Sequence, residues 1–528
     1  MRIGTANDVR RLDASVIADY GVPQSVLMEN AALAARTVAA ERWGIEGRNV
    51  LVVCGSGNNG GDGFALARLL YAKGAAATVL MAGDPEKLSG AAADNFTTVR
   101  NLPLEVLFLD ANPRPALLTR LDFGRYDFLV DALFGTGLSR APEGRMAALI
   151  EAMNASGTPV LSLDIPSGID ADTGAEPGVS VRAEATVSFG IPKRGNLLYP
   201  GFGRGGRLYH SEISFPPEVT GDDSLALSVN IPPPPSPRDP AGHKGSFGKV
   251  LIVGGSPNYR GAPTFAASAA LKAGAGYARV AVPAELVPQI FPLIPEAVFL
   301  PMDGTGSLGT EHLPELLTHT EDADSVVLGP GLSTRPESVR LARELIPAVE
   351  TPLVVDGDAL TALAGREELT RGRPIPTVLT PHPGEMARLL GSSVREVEAR
   401  RVETAQEAAD RYGCVVVLKG AHSLIALPDG RTWMNLTGNS GMGTAGSGDI
   451  LSGLLGALTA RCGTAGTAFE DAVRLGVHLH GLAGDLTAET MGGTGMTAGD
   501  VLEFLPAAFR ECGRRLESDP FSGKITIV

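Results

Sequence analysis

The chain has 528 residues, 44% hydrophobic and 20% charged, with a formal net charge of -14 and no basic run. Such a length exceeds what one hydrophobic core serves, so two or more domains are predicted, and the composition excludes a disordered chain. The acidic balance excludes nucleic acid and anionic membrane as general partners. Cys54, Cys414, Cys462 and Cys512 lack C-x-x-C spacing, which predicts reduced thiols in a cytoplasmic protein and no zinc site. The first thirteen residues are too charged for a signal peptide, and no apolar run reaches membrane-spanning length.

From Ala6 to Arg42 the pattern is helical, with Val9, Leu12, Val16 and Ile17 on one face and a second apolar run from Val26 to Ala40. Asn49 to Cys54 reads as a buried strand entering G-S-G-N-N-G-G-D-G (Gly55 to Gly63), with a helix from Phe64 to Lys73 behind it. Strand, glycine loop and helix is the mononucleotide-binding order. Asn58, Asn59 and Asp62 stand where a hydride-transfer fingerprint carries small residues, so a plain dehydrogenase is disfavoured. Further elements follow at Ala77 to Met81, Gly90 to Arg100, Glu105 to Leu109 and Tyr126 to Val130, the last ending at Asp131 in D-A-L-F-G-T-G. Pro159 to Leu163 ends at Asp164 in D-I-P-S-G-I-D-A-D-T-G. Each aspartate alone reads equally well as a turn cap. Three such loops on strand ends of one parallel sheet point to a shared crevice. A last core strand, Ala185 to Gly190, precedes P-K-R-G, which suits a phosphate or plain solvent equally. Six prolines between Ile231 and Pro240 force an extended connector and mark the domain boundary.

The same grammar restarts after the prolines without repeating the first half's loops. Lys249 to Val253 runs into G-G-S-P-N-Y-R-G-A-P-T and a small-residue helix to Ala273. Later strands end before G-P-G-L, D-G-D, P-H-P-G-E and K-G-A-H-S, again the pattern of a doubly wound α/β sheet. His382 lies between prolines in a loop and is favoured as a ligand contact. Lys419 suits a phosphate, with a solvated lysine as the alternative. His478 and His480 fall on different faces of a helix, which argues against a metal site. Trp433 and Met434 read as packing residues.

The richest stretch is Gly438 to Gly453, G-N-S-G-M-G-T-A-G-S-G-D-I-L-S-G, ahead of the helical run Ile450 to Ala460. Its glycines can aim several backbone N-H groups at one anion, forming a phosphate cradle with Asp449 at its lip. The helix N-terminus is expected to keep Asp449 ionised and usable as a base. A glycine-rich turn capped by aspartate is the plain alternative, and a small-molecule kinase would use the same loop.

Together V-V-C-G-S-G-N-N-G-G-D-G, D-A-L-F-G-T-G and D-I-P-S-G-I-D-A-D-T-G resemble the YjeF N-terminal domain, the NAD(P)H-hydrate epimerase. The second half is similar to the ADP-dependent NAD(P)H-hydrate dehydratase, a relative of the ribokinase fold, with G-S-G-D where many relatives have G-T-G-D. The resemblance implies two three-layer α/β domains, an N-terminal Rossmann-like one over 1–225 and a C-terminal ribokinase-like one over 243–528, joined by a linker over 226–242. It implies repair of NADH and NADPH hydrated at C6 of the nicotinamide ring. The R and S hydrates would be interconverted by the first domain, and the S hydrate dehydrated with ADP by the second, leaving AMP and phosphate. The implied epimerase contacts are Asn58, Asn59, Gly60, Gly61, Asp62, Gly135, Thr136, Gly137, Leu138, Ser139, Arg140, Ala141 and Asp164, with Asp164 catalytic. K+ would be held by Asn59, Asp131 and Ser167. In the dehydratase, Ala262, Gly331, His382 and Asp449 would line the hydrate, with Asp449 catalytic. Lys419, Gly420, Ala421, His422, Ser423 and Gly448 would hold ADP, with Mg2+ accompanying it. The expected partners are these small molecules and further copies of the chain in a homo-oligomer.

Overall fold

The computed structural model describes residues 1–109, 121–138, 140–304, 306–462 and 467–528. It divides into two compact units, Met1–Leu227 with Gly523–Val528, and Ser228–Ser522. The division between 227 and 228 falls inside the expected linker 226–242, and the last six residues depart from the expected C-terminal domain by joining the first unit. Strand Ile525–Ile527 pairs in parallel with Arg207–Ser211 and so forms an edge of the first unit's sheet.

The first unit is built on eight parallel strands in the order 525–527, 207–211, 185–189, 160–163, 128–132, 49–54, 76–81 and 105–108. Asn49–Cys54 has the next strand on one side and Phe128–Ala132 on the other, which makes the turn after Cys54 the switch point where α/β sheets open a crevice. Its residues alternate between two cores. Val50, Val52 and Cys54 pack on the helix-rich side with Phe64 and Phe96, while Leu51 and Val53 pack opposite them with Leu149 and Ile150. The chain supplies an apolar run, Val50 to Cys54, because both faces of this strand are covered. The helix after this strand is Asn58–Tyr71 rather than one starting at Phe64, so the glycine loop itself forms the first turns. Gly60 permits this, since a Cβ there would lie 2.0 Å from the Gly55 carbonyl oxygen.

The expected helical region 6–42 is two helices, Ala6–Ala18 and Gln24–Trp43, broken at Tyr20–Pro23. Thr5 and Asp8 close a capping box at the start of the first.

In the second unit the strand order is 432–434, 424–426, 415–418, 377–379, 353–355, 325–328, 249–253, 277–283 and 298–302. The first two pairings, 432–434 with 424–426 and 424–426 with 415–418, are antiparallel and the rest parallel. Helix Gly261–Lys272 packs against Ser447–Thr459. Gly453 is required at that crossing, because a Cβ would come within 1.9 Å of the Ala266 carbonyl oxygen.

Candidate functional sites

In the first unit the expected loops converge. A cavity of about 420 Å³ opens at the switch point, lined by Asn58, Asn59, Asp62, Gly135, Thr136, Gly137 and Asp164 among others. Apolar walls come from Leu27, Met28, Phe134, Phe189 and Ile213. Gly60 and Gly61 lie in the buried first turn of the helix behind it. Leu138, Arg140 and Ala141 are not among the lining residues, and Ser139 lies outside the described residues.

Asp164 sits one residue past strand Val160–Leu163 with φ 69°, a left-handed conformation that aspartate tolerates better than most side chains. Its carboxylate accepts a hydrogen bond from the Lys193 ammonium, which is wholly buried and also donates to the Phe189 carbonyl oxygen at 2.8 Å. The P-K-R-G loop, left open between phosphate and solvent, therefore turns its lysine into the pocket. Lys193 stands four residues past strand Ala185–Phe189 and before Arg194, so it lacked the signal that singled out Lys419, which directly follows its strand and precedes Gly420. Asp13 was also missed, although it interrupts an otherwise apolar stripe, Val9–Asp13–Ile17, that lines the same cavity.

Asp131 does more than cap a turn, although its Oδ1 accepts from the Leu133 amide at 3.3 Å. It lies within strand Phe128–Ala132 and is fully buried. The Ser167 hydroxyl donates to it at 2.5 Å, the Ser167 amide at 2.9 Å and the Ser162 hydroxyl at 2.8 Å. Burial still pushes its carboxyl above the ordinary value despite those bonds. Ser167 also accepts from the Phe134 amide at 2.9 Å, and the next residue, Gly135, lies against Asn59 and Asp164. The Oδ1 and Nδ2 atoms of Asn59 are buried without a hydrogen-bond partner.

The second unit gathers its charges around Lys419. The ammonium donates to Asp356 Oδ1 at 2.8 Å and lies 3.7 Å from Glu385. Burial opposes ionisation of Asp356, but Lys419 and hydrogen bonds from Lys419, Ser452 and Thr380 outweigh it and hold this carboxyl below its ordinary value. Helix Ser447–Thr459 begins at Gly446, whose φ of 96° favours glycine. A Cβ on Gly448 would lie 3.3 Å from the Lys419 Nζ, so the lysine faces the cradle. The first-turn amides of Gly448 and Asp449 have no intrahelical carbonyl to reach.

Asp449 differs from the expectation that it stays ionised. Burial, then the neighbouring Asp356, Asp358 and Glu385, push its carboxyl up to about 7 against the opposing Lys419. The helix terminus does not outweigh enclosure among three other carboxyls. His382 caps helix Pro383–Leu390, accepting from the Gly384 amide at 3.0 Å while its own amide donates to Glu385 at 2.7 Å. Its ring lies 3.5 Å from Glu385 and is about half exposed. Ala262 and Gly331 adjoin each other. The loop Lys419–Ser423 is supported from below by the Arg401 guanidinium, which crowds Gly420. His480, set aside with His478 as an unpromising pair, reaches the cradle, its Nε2 3.3 Å from the Ser447 hydroxyl. Among the described residues no three acidic, imidazole or thiol groups converge on a metal site.

Comparison with known proteins follows the same division. A family described as YjeF-related protein N-terminus matches residues 24–195, and one described as NAD(P)H-hydrate dehydratase matches 250–507. The protein of Thermofilum pendens named Bifunctional NAD(P)H-hydrate repair enzyme Nnr is 45% identical over 520 residues, covering 98% of each chain. Its namesake from Moorella thermoacetica is 40% identical over 532 residues, again 98% of each, and that from Escherichia coli 35% identical over 95% of this chain and 92% of its own. Among solved structures, an ADP/ATP-dependent NAD(P)H-hydrate dehydratase from Bacillus subtilis, co-crystallized with ATP/Mg2+, is similar over 54% of this chain and 95% of its own at 29% identity, with a TM-score of 0.46.

Proposed function

The chain belongs to the family of bifunctional NAD(P)H-hydrate repair enzymes, with an epimerase unit and an ADP-dependent dehydratase unit, and on that footing we propose which residues carry each reaction. In the dehydratase, the observation that carries the assignment is Asp449 in the first turn of a helix, its carboxyl poised at about 7 beside the Lys419–Asp356 pair. The hydrate's hydroxyl gives its proton to Asp449 as its oxygen attacks the β-phosphoryl group of ADP, and AMP departs. The C6–O bond then breaks with phosphate as the leaving group, and loss of the C5 proton regenerates the reduced nicotinamide. Lys419 and the amides of Gly448 and Asp449 neutralise charge on the transferring group. Gly420, Ala421, His422 and Ser423 hold the nucleotide, and Ala262, Gly331 and His382 the hydrate. Mg2+ is given no resident site here; it would enter with the ADP phosphates, as its reluctance to dehydrate suggests.

In the epimerase, Asp164 is the acid/base group, its charge balanced by Lys193. Asn58, Asn59, Gly60, Gly61, Asp62 and the loop Gly135 to Ala141, Ser139 included, hold the hydrate. Asn59, Asp131 and Ser167 would hold K+. The fit rests on the buried Asn59 Oδ1 that no donor reaches and on the enclosed Asp131 carboxyl. A hard cation there would supply a fixed positive charge that orders the loops around the substrate. Four free cysteines suit the cytoplasm.

R and S hydrates supplied separately with ADP to the full chain test these roles through recovery of the reduced-nicotinamide absorbance. Asp164→Asn is expected to lose recovery from the R hydrate and keep it from the S hydrate, and Asp449→Asn to lose both. Full recovery from the R hydrate by Asp164→Asn would remove Asp164 from the chemistry.

A further inference from the structure

Inverting a carbon that bears a hydroxyl requires one proton delivered to the departing oxygen and one removed from the entering water. Asp164, paired with the Lys193 ammonium, is held as the acceptor, which leaves the donor unassigned. Two other carboxyls, Asp13 and Asp62, line the same cavity. Neither receives a hydrogen bond or makes an ion pair among the described residues. With Asp164 they set three carboxyls in one cavity against Lys193 and Arg10, and among the described residues only Asp164 is paired with a cation.

Asp13 comes from helix Ala6–Ala18, ahead of the segment matched by the YjeF-related family. Its placement is fixed by the two loops that carry the reacting pair. Gly4 bridges Lys193 through backbone hydrogen bonds from the Gly4 amide to Pro192 and from the Arg194 amide to Gly4, both 3.0 Å. The helix's first amide, Ala6, donates to Asp172 at 2.5 Å in the loop that begins at Asp164. From those anchors Val9, Asp13 and Ile17, four residues apart, present one stripe to the cavity.

We propose that Asp13 is a further catalytic residue of the epimerase, the carboxylic acid that protonates the hydrate's hydroxyl while Asp164 takes the proton of the entering water. The inference rests on the assignment of this pocket as the epimerase site. The Asp13 proton passes to the hydroxyl oxygen, the C6–O bond breaks with its electron pair on that oxygen, and the ring nitrogen's lone pair forms a C=N bond. Water then adds to the other face of C6, and its proton goes to Asp164. No atom is gained or lost between substrate and product, and proton exchange with solvent resets the two carboxyls. Burial, with Asp164 adding to it and Lys193 opposing, pushes the Asp13 carboxyl to about 6. The charged groups around it in the cavity are Arg10, Asp62, Asp164 and Lys193.

The test follows R-to-S interconversion by the full chain, with S-hydrate dehydration as the control for folding. Asp13→Asn is expected to lower kcat on the order of 10²-fold with KM changed little, and to lose the fall in kcat/KM as pH rises through about 6. Asp13→Glu, which keeps the carboxyl, is expected to recover roughly a tenth of the rate or more. Wild-type kcat in Asp13→Asn alongside an inactive Asp164→Asn overturns the role. So does a Glu variant no better than Asn, or an equal loss of S-hydrate dehydration. If Asp164→Asn is also fully active, the assignment of the pocket falls, and this inference with it.

Discussion

Replacing Asp449 by asparagine changes charge and titration at almost constant volume, and it should move activity and stability in opposite directions. In the folded chain the carboxyl is pushed to about 7, chiefly by burial and then by Asp356, against an ordinary value of 3.8. The folded state therefore binds more protons than the unfolded state between those values, and stability falls as pH rises through that window. Above pH 7 the wild type carries the whole penalty. At 1.36 kcal/mol per pH unit the gap would amount to roughly 4 kcal/mol. Partial exposure and rearrangement of the neighbouring charges reduce this, and we take about 1–2 kcal/mol, or roughly 2–6 °C in melting temperature for a unit of this size. Calorimetry at pH 8 should find Asp449→Asn melting higher than wild type, with the advantage shrinking at pH 5. Dehydration by the variant should fall on the order of 10²–10⁴-fold. Wild-type kcat/KM should decline as pH is lowered through about 7, because the base must be ionised. A variant that melts lower at pH 8, or a wild-type profile flat from pH 6 to 8, would refute the buried-base account.

Lys193→Met strands Asp164 in a buried site. It should cost on the order of 3–5 kcal/mol of stability in the first unit and abolish interconversion of the hydrates; a variant with wild-type melting and epimerisation would show the pair to be dispensable. If K+ sits at Asn59, Asp131 and Ser167, wild type should melt higher in KCl than in N-methylglucamine chloride of equal ionic strength, and Asn59→Ala should not. Equal melting of wild type in the two salts would remove the cation from that site.

The repeated strand-loop-helix grammar was legible because both faces of each sheet are covered, so core strands hold unbroken apolar runs such as Val50 to Cys54 and Val415–Leu418, with glycines close by. The loops at their ends were legible for the same reason, since aspartate, asparagine and glycine stand out after such runs. Asp131 read equally well as a turn cap or a site residue, because an aspartate next to glycine-rich sequence suits both, and only the strand pairing places it inside the sheet. Lys193 was passed over as a lysine in a basic loop, and Asp13 because one polar break in the stripe Val9–Asp13–Ile17 does not by itself reveal the cavity it faces.

Residue order alone determined the two α/β units, the glycine loops that open their sites and the candidate base Asp449, because these follow from local periodicity and turn chemistry. Tertiary structure decided the electrostatics. The acid strength of Asp449 depends on Asp356, Asp358 and Glu385, brought from other strand ends and from a helix. The meeting of Asp13, Asp164 and Lys193 depends on an N-terminal helix anchored to two distant loops. Charge interactions depend on distance and enclosure, which residues far apart in the chain acquire only when the sheet brings them together.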